Sequence, residues 1–179
     1  QRPGYDIIAQ AMSGLMSTSG WPDSGPTRTG TAMGDVLAGL SATIGLLAAV
    51  YHKMNTGEGQ KVDISLVDST VASLEIINMI YLTEGRLPER IGNRYESAYP
   101  YDSFTATDGD LVIGAVSDKP WHSIVREMGN QEPIADERYL TNRDRVKNHA
   151  PLGVLNPEWV EGRTGQGVVD RILAVGCQV

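Results

Sequence analysis

From Tyr5 to Ser17 apolar residues return at spacings of three and four, at Ile8, Ala11, Met12, Leu15 and Met16, which predicts an amphipathic helix. Turn formers crowd the next stretch, Ser19 to Pro26, and predict a loop. A second helix is predicted from Val36 to Met54, with a stripe of Leu37, Leu40, Ile44, Leu47 and Tyr51. Its other faces carry Ala38, Ala42, Ala48 and Val50, so the pattern predicts burial nearly all round. The run Asn55-Thr56-Gly57-Glu58-Gly59 supplies a C-terminal stop. Beyond it, Val62, Ile64 and Leu66 alternate with Asp63 and Ser65, which predicts a strand from Lys61 to Leu66. A third helix is predicted from Asp68 to about Leu82, with Val71, Leu74, Ile77 and Ile80 facing inward.

Thr83 to Tyr99 is polar and rich in Arg, Gly and Pro, and reads as a linker. After it, Tyr101 to Ala106 and Asp110 to Ala115 flank Thr107-Asp108-Gly109, the signature of a hairpin with an Asp-Gly turn. Helices are predicted from Pro120 to Met128 and from about Gly167 to Val175, and Asn156-Pro157-Glu158-Trp159 reads as a cap followed by proline at the first helical position. The pattern therefore predicts an α/β fold in two parts. A helix–strand–helix part over residues 1–85 leads through a linker, 86–100, into a small α+β domain, 101–179.

Composition narrows the function. The 179 residues are 41% hydrophobic and 21% charged, an ordinary globular balance with room for a core. A net charge of −7 and the lack of any basic run argue against nucleic acid as a ligand. The longest apolar stretch, Val36 to Tyr51, is shorter than a bilayer span, and no signal-peptide pattern opens the chain, so a soluble cytoplasmic protein without a membrane partner is expected. Cys177 is the single cysteine, which excludes an internal disulfide and reads as a buried or incidental thiol.

Candidate chemistry is sparse. His52, His122 and His149 are far apart with no ligand spacing, so no metal site is expected. No Gly-x-Ser-x-Gly elbow and no dinucleotide fingerprint occur. Gly57-Glu58-Gly59-Gln60-Lys61 is not a phosphate loop, because it follows a helix and precedes a strand. Trp21, Trp121 and Trp159 read as core or loop anchors. What remains is Asp35, which closes Gly30-Thr31-Ala32-Met33-Gly34 and opens the long apolar stretch. A carboxylate there can cap the helix, or it can serve as a nucleophile beside glycines that allow close approach.

Several segments carry a resemblance. They are Arg2-Pro3-Gly4-Tyr5-Asp6-Ile7-Ile8-Ala9-Gln10-Ala11-Met12-Ser13-Gly14-Leu15-Met16, the run Gly30 to Asp35, and Thr56 through Asp68. Arg90-Ile91-Gly92-Asn93, Ala98 through Phe104 and Asn156-Pro157-Glu158-Trp159 follow in the same order. In these the chain resembles the class III CoA-transferases (CaiB/BaiF type), the family of formyl-CoA transferase and carnitine CoA-transferase.

The resemblance implies that Asp35 is the nucleophile that attacks an acyl-CoA thioester, passing through an acyl–aspartyl anhydride and an aspartyl-CoA thioester to a carboxylate acceptor. It implies that Arg2, Pro3, Gly4 and Tyr5 touch coenzyme A and that Asp6 is an acidic active-site neighbour, while helix entry and capping remain open for Tyr5 and Asp6. It also implies a homodimer, and a family chain more than twice this length, so the fold is expected to be incomplete. A catalytically inactive, truncated domain that folds and self-associates is one alternative. A 2-methylacyl-CoA racemase is another; members of that kind place histidine where Tyr5 stands, so the transferase reading is favoured.

Overall fold

A computed structural model describes residues 4–129, 132–152 and 157–179. The chain divides into two compact units, Gln1–Gly92 and Asn93–Val179.

The first unit is helical. Helix α1 (Asp6–Met12) is followed by the single turn α2 (Leu15–Thr18), so the expected helix from Tyr5 to Ser17 is in two pieces. Gly14 sits between them at φ +90°, a conformation that glycine adopts without steric cost. Helix α3 (Met33–Thr56) starts three residues before the expected Val36 and ends at Gly57, whose φ of +78° and N–H bond to the Lys53 carbonyl close the last turn.

Burial of α3 differs from the expectation. Leu40, Ile44, Leu47 and Tyr51 are each more than half exposed, and only Gly34 and Ala49 are buried. Helices α1 and α4 (Leu66–Ala72) pack on one strip of α3, and the extended segment carrying Val62 and Ile64 crosses it at Gly45, which leaves much of its apolar surface exposed. At 24 residues α3 is about 36 Å long, long and apolar enough to cross a membrane by length and composition, whereas the apolar run Val36 to Tyr51 is shorter than a span.

The expected strand from Lys61 to Leu66 is absent. Ser65 is extended (φ −105°, ψ 133°), but a strand needs a ladder partner, and none exists among the described residues of this unit. Instead Val62 lies across α3 at Gly45, where a Cβ would fall 2.7 Å from the Val62 Cγ1. The Ser65 side chain then accepts a bond from the Asp68 N–H and caps α4. The single helix expected from Asp68 to Leu82 is two, α4 and α5 (Glu75–Glu84), bent by 77°. The backbone turns at Glu75, a non-glycine residue at φ +38°.

The second unit is built on a hairpin. Strands β1 (Tyr101–Ala106) and β2 (Gly109–Gly114) pair antiparallel from Tyr101–Gly114 to Ala106–Gly109, joined by Thr107 and Asp108. Gly109 thus belongs to the ladder rather than to the loop. Phe104, Ala106 and Ile113 turn inward against Trp121, Ile124 and Val125 of α6 (Asp118–Glu127). After α7 (Glu132–Ala135) and a 3-10 turn (Glu137–Tyr139) come α8 (Asn142–Lys147), α9 (His149–Leu152), α10 (Pro157–Glu161) and α11 (Gly165–Ala174). Trp159, Val160, Val168 and Ile172 close the core. The expected cap Asn156 lies outside the described residues. Cys177 is buried beside the Pro120 carbonyl, and burial raises its thiol pKa.

Arg145 is fully buried at the centre of this unit. Its Nε donates to the Tyr99 carbonyl (3.0 Å) and its Nη1 to the carbonyls of Tyr139 (3.2 Å) and Leu140 (3.4 Å). Nη2 stands 2.9 Å from Asp118 Oδ1, an ion pair outside hydrogen-bond alignment. The guanidinium also lies over the Trp121 ring, 5.1 Å from its centroid. Burial pulls the Arg145 pKa down while Asp118 acts the other way. Arg145→Ala should destabilise this unit by about 3–5 kcal/mol, because three carbonyls and a carboxylate lose their partner. Urea denaturation followed by tryptophan fluorescence measures it, since Trp121 and Trp159 are buried here.

Candidate active site at the start of the long helix

The first turn of a helix presents N–H groups that have no partner within the helix. In α3 these begin at Met33, Gly34 and Asp35, and the residue before them, Ala32, has no side-chain acceptor. The acceptor comes from α1 instead. Asp6 Oδ1 accepts the Gly34 N–H at 2.8 Å, so a carboxylate from one helix caps another.

A second residue holds that carboxylate. Gln10, one turn further along α1, is fully buried, and its Nε2 donates to Asp6 Oδ2 at 2.7 Å. Its Oε1 accepts from the Thr29 N–H (3.0 Å) and the Thr29 hydroxyl (3.2 Å), while Nε2 also reaches the Thr31 carbonyl at 3.5 Å. One amide thereby ties α1 to the loop leading into α3. Gly34 makes room for this: a Cβ there would lie 3.1 Å from Asp6 Oδ1, 3.2 Å from Thr70 Oγ1 and 3.4 Å from the Ala9 Cβ. Thr70, buried on α4, turns its hydroxyl to the Leu66 carbonyl at 2.8 Å.

Asp35 is the third residue of α3 and is exposed. No hydrogen bond or ion pair among the described residues engages its carboxylate. The capping role open to Asp35 in the sequence therefore belongs to Asp6, and the physical reason is that α3 starts before Asp35 rather than after it. Asp35 keeps the electrostatic benefit of a negative charge in the first turn of a helix. The arrangement leaves one carboxylate engaged by the backbone and its neighbour on the next residue open to a ligand.

Of the other sequence candidates, Tyr5 precedes α1 in extended conformation and is 82% exposed, and Gly4 is exposed with open space around it. Arg2 and Pro3 lie outside the described residues. Asp6 and Asp35 are brought to the same helical turn. Among the described residues no group of three or more His, Cys, Asp or Glu is placed to hold a metal.

Sequence reasoning missed Gln10, Thr29 and Thr70. The stripe drawn on α1 pointed to Ile8 and Met12, which are about half exposed, whereas the packed face carries Asp6, Ala9, Gln10 and Ser13. The available signal was the Asp6–Gln10 pair at i and i+4, which shares a helix face. Asp6→Ala should cost about 1–2 kcal/mol of local stability, by loss of the cap and of the Gln10 partner. It would be seen as roughly 5- to 30-fold faster amide hydrogen exchange at Gly34 and Asp35.

Similarity to known proteins runs along the whole chain. The profile described as CoA-transferase family III matches residues 1–179. A succinyl-CoA:mesaconate CoA-transferase of Haloarcula marismortui is 36% identical over 169 residues, 94% of this chain and 42% of that protein. An acetyl-CoA:oxalate CoA-transferase of Acetobacter aceti is 38% identical over 151 residues, 84% of this chain and 39% of that protein. Among solved structures, a CaiB/BaiF family protein from Brucella suis superposes with a TM-score of 0.78 at 32% identity, covering 99% of this chain and 47% of that one. The chain thus spans about two fifths of the length of these curated relatives, and its helices and hairpin are about half of an α/β family fold. With the match running through both units, the chain belongs to CoA-transferase family III.

Proposed function

We propose that the protein transfers coenzyme A from an acyl-CoA thioester to a carboxylate acceptor, with Asp35 as the nucleophile. The observation that carries this reading is the exposed, unengaged carboxylate of Asp35 in a helical turn whose capping is done by Asp6. The names of the relatives support it, since each describes CoA passing between two carboxylates.

The Asp35 carboxylate attacks the thioester carbonyl, the C–S bond breaks, and the CoA thiolate leaves behind an acyl–aspartyl anhydride. The thiolate attacks the aspartyl carbonyl, expelling the first carboxylate and forming an aspartyl-CoA thioester. The acceptor carboxylate then attacks that thioester, releasing the thiolate and giving a second anhydride. Attack of the thiolate on the acceptor's carbonyl yields the new acyl-CoA and restores Asp35. No proton changes hands, so no general base is required. Oxyanions beside Asp35 benefit from the dipole at the start of α3 and from the Asp35 N–H, since the N–H groups of Met33, Gly34 and Val36 are already bonded to the Thr31 carbonyl, Asp6 and the Ala32 carbonyl. In this reading contact with the coenzyme A moiety falls to the exposed Gly4 and Tyr5 and, as the resemblance implies, to Arg2 and Pro3, which lie outside the described residues.

The uncovered apolar surface of α3 favours a second reading, a domain that self-associates without turnover. One experiment separates the two. The protein is incubated with an acyl-CoA and hydroxylamine, digested, and the peptide containing Asp35 is weighed. A hydroxamate at Asp35 supports covalent catalysis there; one at another carboxylate overturns the assignment of Asp35, and none anywhere favours the inert domain. Asp35→Ala should lower transfer by roughly a thousandfold or more, measured as exchange of label between acyl-CoA and free carboxylate.

A further inference from the structure

We propose that Gln10 is a positioning residue for the reaction: its buried amide, bonded to Asp6 on one side and Thr29 on the other, fixes the turn that presents Asp35. The inference rests on the proposed role of Asp35 for its catalytic meaning, but the clamp itself is geometric. Gln10 does not touch Asp35 directly. It acts through Asp6, which holds the Gly34 N–H immediately before Asp35, and through Thr29, which begins the loop Thr29-Gly30-Thr31 entering α3.

The geometry is specific for an amide. Nε2 donates to a carboxylate oxygen at 2.7 Å, and Oε1 accepts from a backbone N–H at 3.0 Å and a hydroxyl at 3.2 Å. The side chain is shut off from water, so the loss of either partner leaves a buried polar group without a bond. Apolar packing contributes little to this order, since among the described residues of the unit the buried apolar side chains are Ala9, Ala49, Leu74 and Ile80. A nucleophile held by a hydrogen-bonded clamp loses rate when its geometry relaxes, and a displacement of about 1 Å can cost on the order of a hundredfold.

Glutamate at this position makes the idea testable. Gln10→Glu keeps the shape but sets a second carboxylate against Asp6, so the contact can form only while the two share a proton. No other charged side chain among the described residues is hydrogen-bonded or ion-paired to Asp6 or Gln10. Arg28 faces the carbonyls of Thr29 and Gly30, and Asp35 on α3 and Asp68 on α4 are exposed. Transfer by Gln10→Glu should therefore approach the wild-type kcat at about pH 5 and fall roughly 10- to 100-fold below it by pH 8, with KM changed less than about threefold. The double variant D6N/Q10E reverses the polarity: the amide oxygen introduced at position 6 still accepts from Gly34, and the amide nitrogen beside it donates to the carboxylate introduced at position 10. It should restore a pH-independent ratio to wild type.

Amide hydrogen exchange at Thr29 and Gly34, corrected for its intrinsic pH dependence, reads the clamp without requiring turnover. Gln10→Glu should lose protection about tenfold or more between pH 5 and 8, and D6N/Q10E should regain it. Protection in Gln10→Glu that does not change with pH, or no recovery in the swap, overturns the proposal. So does an unchanged kcat in Gln10→Glu when Asp35→Ala is inactive. If Asp35→Ala still transfers CoA, or wild type does not, the functional reading fails and the exchange experiment alone decides the clamp. Overall folding is controlled within Gln10→Glu itself, since a misfolded protein would not recover at low pH.

Discussion

The first unit depends on one hydrogen bond, from the Gly34 N–H to the Asp6 carboxylate. It joins α1 to α3 at the point where α3 has no acceptor of its own, and Thr70 of α4 packs against the same glycine. As a helix cap this carboxylate contributes about 1–2 kcal/mol, close to the burial of one apolar side chain. In a unit with so few buried apolar side chains, that is a large share of what orders the helices. The same bond explains why residue 34 must be small. A side chain there would push Asp6 and Thr70 apart, and α1 would lose its hold on the loop that Gln10 ties down.

The two units solve the problem of buried polarity differently. In the first, a chain of neutral and anionic groups runs from Thr29 through Gln10 and Asp6 to Gly34. In the second, the single cation of Arg145 gathers carbonyls from Tyr99, Tyr139 and Leu140, segments distant in sequence, and faces Asp118 and Trp121. Around it lies a continuous apolar core from Phe104 to Cys177. Tyr99, buried at the edge of that assembly, has its phenol pKa pushed up to about 12, chiefly by burial with Asp102 adding to it.

Much of this is legible in sequence, and the failures have physical causes. Helix α3 and the hairpin are readable because their signals are local: a long 3.6-residue period and a turn of Asp followed by Gly. The strand at Lys61 is misread because alternation marks a two-faced extended segment whether or not another strand lies beside it. The break at Glu75 carries no Gly or Pro, so periodicity alone runs α4 into α5. Asp35 stands in the first turn of α3, close to where the pattern puts it, but it does not cap that helix, because the cap comes from a residue 28 positions before Gly34. Gln10 is invisible because hydrophobic periodicity counts a buried amide as a solvent-facing residue.

The wetted face of α3 has a thermodynamic consequence. The heat-capacity change of unfolding follows the apolar area that passes from the interior into water. In α3 that area is already in contact with solvent at Leu40, Ile44, Leu47 and Tyr51, so little is added when the helix melts. With α3 uncovered, the described residues of the first unit add less new apolar area to water on unfolding than those of the second, which flattens the stability curve. Covering α3 would reverse this, turning a temperature-insensitive unit into one whose stability peaks sharply and whose melting absorbs far more heat.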